Sequence, residues 1–192
     1  NWAPFEYDND GKAAGITPDV LRAIGKDTGI NFNFVLTSST YNVYKQTAEA
    51  YQDTIMAVSY DYIWANKHDL LVTQPYVTGS VMCVTKNSSV NPKTVAIVVD
   101  GYLASAIKRE YPELKPVPYF TFEECMNAVD SDAADCTFLN SYQANYYRSI
   151  SQFDSFSYKS IENITQNIAL GITKQSNPVL LGIITKSLHR VA

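Results

Sequence analysis

The N-terminal stretch Asn1–Val35 decides the fold, and it opens with Asn1-Trp2-Ala3-Pro4-Phe5-Glu6-Tyr7. A polar segment follows, Asp8-Asn9-Asp10-Gly11-Lys12, in which Asp-Gly supplies the positive φ of a tight hairpin turn. Thr17-Pro18-Asp19 predicts a helix start with Thr17 as the cap. Gly29 should end that helix, and the alternation in Asn31–Val35 predicts a strand.

Strands and helices alternate through the rest of the chain. The patterns predict strands over Thr54–Ser59, Thr94–Val99, Asp135–Leu139 and Ile168–Ile172. They predict helices over Tyr41–Tyr51, Leu103–Tyr111, Thr121–Val129 and Ser141–Arg148, and a last helix that opens at Asn177-Pro178. This alternation predicts the α/β class with largely parallel sheets.

The composition is that of an ordinary globular protein. Of the 192 residues 46% are hydrophobic and 18% charged, and the formal net charge is -4. No basic stripe is present, so nucleic acid is not expected as a partner. No apolar run approaches the roughly 20 residues of a membrane helix. Because the chain begins inside a motif, we interpret it as a trimmed domain.

The cysteines and acidic residues predict no metal site and no cofactor. Cys83, Cys125 and Cys136 allow at most one internal disulfide. A bridge between Cys125 and Cys136 is conceivable, but small buried thiols are the favoured interpretation, and the spacing fits no zinc pattern. The segment from Glu6 to Gly11 partly imitates a calcium loop, but Thr17 stands where the loop needs Glu, so a hairpin turn is favoured.

Three further motifs accompany the N-terminal one in a particular order. They are Leu70-Leu71-Val72-Thr73-Gln74-Pro75-Tyr76, Asp132-Ala133-Ala134-Asp135-Cys136 and Ile168–Pro178. Together these motifs resemble the family 3 extracytoplasmic solute-binding proteins, which have the type II periplasmic-binding fold. The resemblance implies a two-lobed (Venus flytrap) α/β fold, each lobe a mainly parallel sheet flanked by helices. It places lobe one at residues 1–84 plus 167–192 and lobe two at residues 85–166.

The resemblance also shows where this chain departs from members that bind amino acids. The family's arginine for the ligand carboxylate falls on Asn66, and the neighbouring hydroxyl position falls on Ile63. The family's aspartate for the ligand ammonium falls on Asn140. A zwitterion held in the usual way would leave its carboxylate without a cation, which is costly in a closed cleft. We therefore expect a polar ligand of amino-acid or amine size that is not held by both charges.

The candidate ligand-binding residues come from the family positions and from strand ends, where open α/β sheets bind ligands. They are Trp2, Tyr41, Ser59, Asp61, Asn66, Gly101, Tyr102 and Asn140. Alternatives stay open for several of them. Trp2 and Tyr41 could be packing residues, Asp61 could cap a helix or pair with Lys67, and Asn140 could cap the helix at Ser141.

The resemblance implies a binding module and not an enzyme. Sensory members, extracytoplasmic and covalently linked to membrane-anchored signalling modules of the kinase or cyclase type, resemble this trimmed domain best. A solute-binding component of an ABC transporter is the second hypothesis. A dehydratase-like enzyme is disfavoured because the cleft motif lacks arginine, and a ligand-free spacer plugged by Tyr62 or Trp64 is a further alternative.

Overall fold

The computed structural model describes residues 2–36 and 54–191. Its strands are β1 (Tyr7–Asn9), β2 (Lys12–Ala14), β3 (Ile55–Ser59), β4 (Leu70–Val72), β5 (Val77–Thr85), β6 (Thr94–Val98), β7 (Lys115–Tyr119), β8 (Cys136–Asn140) and β9 (Ser157–Thr173). Its helices are α1 (Ile16–Thr28), α2 (Tyr62–Lys67), α3 (Tyr102–Glu110), α4 (Phe122–Asp130), α5 (Ser141–Arg148) and α6 (Pro178–Val191). The expected α/β class is confirmed. The helix predicted over Tyr41–Tyr51 lies outside the described residues.

The chain divides into two compact units. Unit 1 comprises Asn1–Thr78 and Asn167–Ala192, and unit 2 comprises Gly79–Gln166. The chain passes from one unit to the other within β5 and again within β9. The functional lobes inferred from the resemblance remain a prediction.

The predicted hairpin is confirmed between β1 and β2. Tyr7 pairs with Ala14 and Asn9 with Lys12, and the Gly11 amide donates to the Asp8 carboxylate over 2.7 Å. Asp10 and Gly11 have φ of 51° and 79°, the left-handed values that a tight antiparallel turn needs.

The Trp-Ala-Pro-Phe segment forms the cap of α1. The carbonyl oxygens of Pro4 and Phe5 accept the amides of Ile16 and Thr17 over 3.0 and 2.8 Å. A Cβ on Gly15, whose φ is 116°, would lie 2.5 Å from the Phe5 oxygen, so only glycine permits this approach. Backbone carbonyls thus satisfy amides that usually need a side-chain cap.

The expectation that Thr17 caps this helix was wrong. Gly15 is the capping position, and no side chain bonds there. The Thr17 hydroxyl instead shares a 2.7 Å hydrogen bond with the Tyr76 hydroxyl, far along the chain. At the other end, Gly29 adopts the left-handed conformation with φ of 79° and ends α1 as predicted.

The strand expected over Asn31–Val35 is absent, because these described residues have no ladder partner. Phe32 packs against the cluster formed by α1, α6 and β9, and the Phe34 ring lies 4.9 Å under the guanidinium of Arg22. The alternation therefore reflects separate aromatic contacts and not strand pairing.

Unit 1 has a small sheet centred on the C-terminal part of β9. Both β3 and β4 run antiparallel to β9, with Ser59 opposite Ile168 and Val72 opposite Gly171, so the mainly parallel pairing expected in each lobe is found among the described strands of unit 2 and not of unit 1. Helices α1 and α6 cover this sheet through an apolar cluster that comprises Leu21, Ile24, Leu170, Ile172, Ile184 and Leu188. Burial of such aliphatic side chains stabilises a fold by about 1.5–3 kcal/mol each.

In unit 2, β6 lies between the parallel strands β7 and β8, and β5 pairs antiparallel with β8. Val95 packs with α3 on one face of β6, and Ala96 packs with α4 on the other. The nearly uninterrupted apolar run of β6 is thus explained by cover on both faces. The predicted capping box of α4, between Thr121 and Glu124, is confirmed.

The cysteines are all free thiols. A bridge between Cys125 and Cys136, which the sequence left open, is excluded by the pleat of β8. Cys136 packs on the α3 face, whereas Cys125 of α4 packs with Ala96 on the opposite face. Among residues 2–36 and 54–191, no helix has the length and apolar character that crossing a membrane requires.

Candidate functional site

The parallel strands of unit 2 bring two predicted site segments to the same edge. Gly101 and Tyr102 follow β6, and Asn140 ends β8, so both lie at carboxyl ends of neighbouring parallel strands. Gly101 is the capping position of α3 and, as a glycine, has no side chain that could cap the helix. The first amides of α3 therefore lie at this edge of the sheet.

Tyr102 is anchored within unit 2. Its hydroxyl donates to the carbonyl oxygen of Thr165 over 3.1 Å, and its ring packs partly against the α3 face of the sheet. This bond fixes the phenol beside β9, in contact with a backbone oxygen.

Asn140 is fully buried and central to a polar network. Its Oδ1 accepts the Gln143 amide over 3.0 Å, which makes it the cap of α5, and its Nδ2 donates to Gln166 Oε1 over 3.0 Å. The capping alternative is therefore confirmed for Asn140, and ligand contact by this side chain remains a prediction.

Gln143 is a polar feature that the sequence reasoning missed. The residue is fully buried on the first turn of α5, and its side-chain Nε2 and Oε1 have no hydrogen-bond partner among the described residues. A buried amide without partners costs about 1–3 kcal/mol. A glutamine at a helix position that should face the core was the one sequence feature that could have indicated this buried amide.

In unit 1, the loop after β3 carries Ser59 and Asp61. Ser59 is half-buried at the strand end, opposite Ile168. Asp61 caps α2, because its Oδ1 accepts the amides of Ile63 and Trp64 over 2.9 and 3.0 Å. The capping alternative is again confirmed, and a ligand contact by this carboxylate remains a prediction.

Two tyrosines flank Asp61 and were not among the predicted site residues. The Tyr60 and Tyr62 hydroxyls share a 2.7 Å hydrogen bond, and their rings meet edge to face with centroids 5.1 Å apart. Tyr62 is 61% exposed, so this aromatic pair presents a ring next to the Asp61 carboxylate. The high tyrosine content gave only a general hint of such a surface.

Asn66, at the position of the family arginine, is occupied by an internal contact. Lys174 Nζ donates to Asn66 Oδ1 over 2.7 Å and lies 3.7 Å from Asp69 Oδ1. This cation is thus already neutralised by a carboxylate. A shallow apolar groove of about 600 Å³ adjoins these residues and is lined also by Tyr62, Ile63, Leu71 and Leu181.

Trp2 is 6% exposed and packs against Phe5 with ring centroids 5.0 Å apart. The neighbouring Glu6 accepts the Ala57 amide over 3.1 Å. Burial raises the pKa of Glu6, and the hydrogen bond from Ala57 offsets part of this rise. Tyr41, the remaining predicted site residue, lies outside the described residues.

No described cluster of three or more His, Cys, Asp or Glu side chains is placed to hold a metal ion. The polar groups at the strand ends include amides, hydroxyls, the carboxylates of Asp61 and Asp100, and the first backbone amides of α3. Such groups donate and accept hydrogen bonds to a neutral or cationic polar molecule.

Comparison with known proteins gives relatives of two kinds. The virulence sensor protein BvgS of Bordetella pertussis is 24% identical over 155 residues, which are 76% of this chain and 12% of that protein. The crystal structure of the B. pertussis BvgS periplasmic domain matches with a TM-score of 0.88 at 23% identity, over 100% of this chain and 39% of that one.

A match of the second kind is the arginine-, lysine-, histidine-binding protein ArtJ of Geobacillus stearothermophilus. Its TM-score is 0.81 at 17% identity, over 99% of this chain and 85% of that one. These likenesses confirm the two-lobed Venus flytrap fold. Residues 1–192 match one family throughout their length, a family of binding proteins and not of enzymes. The chain belongs to the bacterial extracellular solute-binding proteins, family 3.

Proposed function

We propose that this chain is an extracytoplasmic sensor domain that binds a small polar ligand of amino-acid or amine size. The two predicted lobes are residues 1–84 plus 167–192 and residues 85–166, and we propose that they close when the ligand binds. Contacts made only in the closed state would then shift an open–closed equilibrium. The observation that carries the proposal concerns Asn66. In relatives that bind amino acids an arginine at this position would hold the ligand carboxylate, whereas here the Asn66 side-chain oxygen accepts a hydrogen bond from Lys174.

The chemistry of the candidate residues supports a ligand with a positive or neutral polar group. Asp61 beside Tyr62 offers a carboxylate and an exposed ring, a combination that attracts an amine. The start of α3 at Gly101 would offer backbone amides to a carbonyl or other acceptor. In this proposal the Asp61 carboxylate and the α3 amides take the place of the family's arginine and aspartate.

The sensory role is supported by the similarity to BvgS, a sensor protein of which this chain spans 12%. We propose that the domain is covalently linked to membrane-anchored signalling modules of the kinase or cyclase type. The conformational change on closure would be transmitted to those modules through the covalent connections between them and this domain.

A thermal-shift panel of polar amines, amino acids and their amides tests the binding proposal. A ligand at 100 times its dissociation constant stabilises the folded state by about 2.7 kcal/mol, so the melting temperature should rise by several degrees for some member of the panel. A flat response across all classes would contradict the proposal. Small-angle scattering with the ligand found should show a smaller radius of gyration if the lobes close.

The second candidate is a solute-binding component of an ABC transporter. The likeness to ArtJ, a protein named for binding arginine, lysine and histidine, favours it. The sequence that flanks residues 1–192 in the gene decides between the two. Transmembrane and kinase-like segments support sensing, and an N-terminal lipobox with a short C-terminal end supports transport.

A further inference from the structure

Cys83 and Cys136 lie side by side on one face of the unit 2 sheet. In the antiparallel pairing of β5 with β8, Cys83 is opposite Phe138 and Thr85 is opposite Cys136. The two cysteines are therefore diagonal neighbours on the same face, where each thiol influences the pKa of the other.

The surroundings give the two thiols different character. Cys136 is fully buried in the cluster with Val95 and Phe138, and its thiol donates to the Thr94 carbonyl over 3.5 Å. Cys83 is only partly buried. The neighbouring Cys136 thiol lowers the pKa of the Cys83 thiol, and Lys159 lowers it further, whereas burial opposes both effects. The neighbouring Cys83 thiol and burial raise the pKa of Cys136.

We propose that Cys83 and Cys136 are a redox-active dithiol, which closes to an intramolecular disulfide by exchange with a disulfide oxidant. Cys83 loses its proton to solvent, and its thiolate attacks one sulfur of the oxidant and expels the other as a thiolate. Cys136 then attacks the Cys83 sulfur of this mixed disulfide and expels the second oxidant thiol. The protein loses two protons and two electrons, and the oxidant takes up both and is reduced to two thiols.

The geometry predicts a strained and therefore easily reduced bond. Diagonal neighbours in a sheet have Cβ atoms up to about 7 Å apart, whereas a disulfide needs about 3.8 Å. Closing the bond must draw β5 and β8 together. Since β5 continues from unit 2 into unit 1, oxidation acts on a strand that connects the two units. Strained disulfides of this kind are the labile ones.

Cys125 is the matched control within the same unit. It is buried on the opposite face beside Thr137, and burial raises its pKa to about 12. A buried thiol of this kind is unreactive in the folded state.

The test is oxidation of the folded protein with oxidised glutathione, followed by alkylation in denaturant and peptide mass mapping. Wild type and Cys125→Ser should both form the bridge between Cys83 and Cys136, and dithiothreitol should reverse it. Cys136→Ser should stop at one glutathione on Cys83, and Cys83→Ser should not react. A bridge that includes Cys125, or bridging only in denaturant, would overturn the proposal.

A second measurement does not depend on the variants folding. Alkylation of the reduced native wild type should modify Cys83 about tenfold or more faster than Cys125, because only Cys83 is partly exposed and has a lowered pKa. Equal rates at the two positions would also overturn the assignment of Cys83 as the attacking thiol.

Discussion

At the scale of single residues, Asp61 has two separable contributions. Its carboxylate caps α2 in the structure, and we propose that it also attracts a cationic ligand group. Asp61→Ala should lower the free energy of unfolding by about 1 kcal/mol, because the amides of Ile63 and Trp64 lose their acceptor. Asp61→Asn keeps an acceptor and should be nearly as stable as wild type.

The same two variants separate capping from binding. If the carboxylate contacts an amine, Asp61→Asn should weaken ligand affinity by about tenfold, as measured by calorimetry, while the melting temperature of the free protein hardly changes. If Asp61→Asn binds the ligand with unchanged affinity, Asp61 caps α2 and does not contact the ligand.

Gln143 gives a second prediction at this scale. Its buried amide has no partner among the described residues, so Gln143→Met should raise the free energy of unfolding by about 1 kcal/mol in urea denaturation. Gln166→Met is the matched comparison, because Gln166 accepts a hydrogen bond from Asn140 and its loss leaves that amide unpaired. Gln166→Met should therefore destabilise. A loss of stability in Gln143→Met would show that the amide is satisfied.

At the scale of secondary structure, two glycines give opposite expectations for the same substitution. A Cβ at Gly182 of α6 would meet nothing within 4 Å, so Gly182→Ala should stabilise the helix by about 1 kcal/mol. A Cβ at Gly171 of β9 would lie 2.8 Å from Val58 Cγ1, so Gly171→Ala should destabilise by about 1–3 kcal/mol. Thermal unfolding measures both, and shifts of the same sign would contradict the packing described.

The contact between α1 and α6 gives a pH prediction. Hydrogen bonds from Arg190 and Ser187 lower the pKa of Asp27. Because the folded pKa lies below the unfolded one, the stabilisation is complete above the unfolded pKa and is lost as the pH falls through the folded pKa. The stability difference between wild type and Asp27→Asn should thus shrink on acidification in urea titrations. A difference independent of pH would contradict this.

Local signals predicted elements well where the interacting residues are close in sequence. The β1–β2 turn, the Gly29 stop and the Thr121 capping box needed only neighbouring residues. The Thr17 cap failed because its hydroxyl bonds Tyr76, 59 residues away. The Asn31–Val35 strand failed because aromatic alternation does not distinguish pairing from packing.

For the candidate site, too, sequence reasoning succeeded only where the interacting residues are close in sequence. The positions of Asp61 and Asn140 at strand ends were predictable, and so were their possible capping roles. The contact of Asn66 with Lys174 joins residues 108 apart, and the Cys83–Cys136 contact depends on strand register. Neither can be derived from a local pattern, because register and tertiary contacts are set by the whole fold.

At the scale of the whole molecule, the fold and family are established, and the ligand is the open question. The central claim is that this family 3 domain binds a polar ligand without a cation for its carboxylate. Lys174 is a cation beside the family's arginine position, where it is paired with Asp69 and hydrogen-bonded to Asn66. We therefore expect that it does not neutralise a ligand carboxylate. The claim also predicts that an acid group on the ligand is at best neutral for binding.

Calorimetric titration with a matched ligand series tests this claim most directly. The series should take the best compound of the thermal-shift panel and compare its free amino acid, its carboxamide and its decarboxylated amine. The account predicts that the carboxamide or the amine binds as tightly as the free amino acid or more tightly. Binding of the free amino acid alone, with the other two at least about a hundredfold weaker, would contradict it.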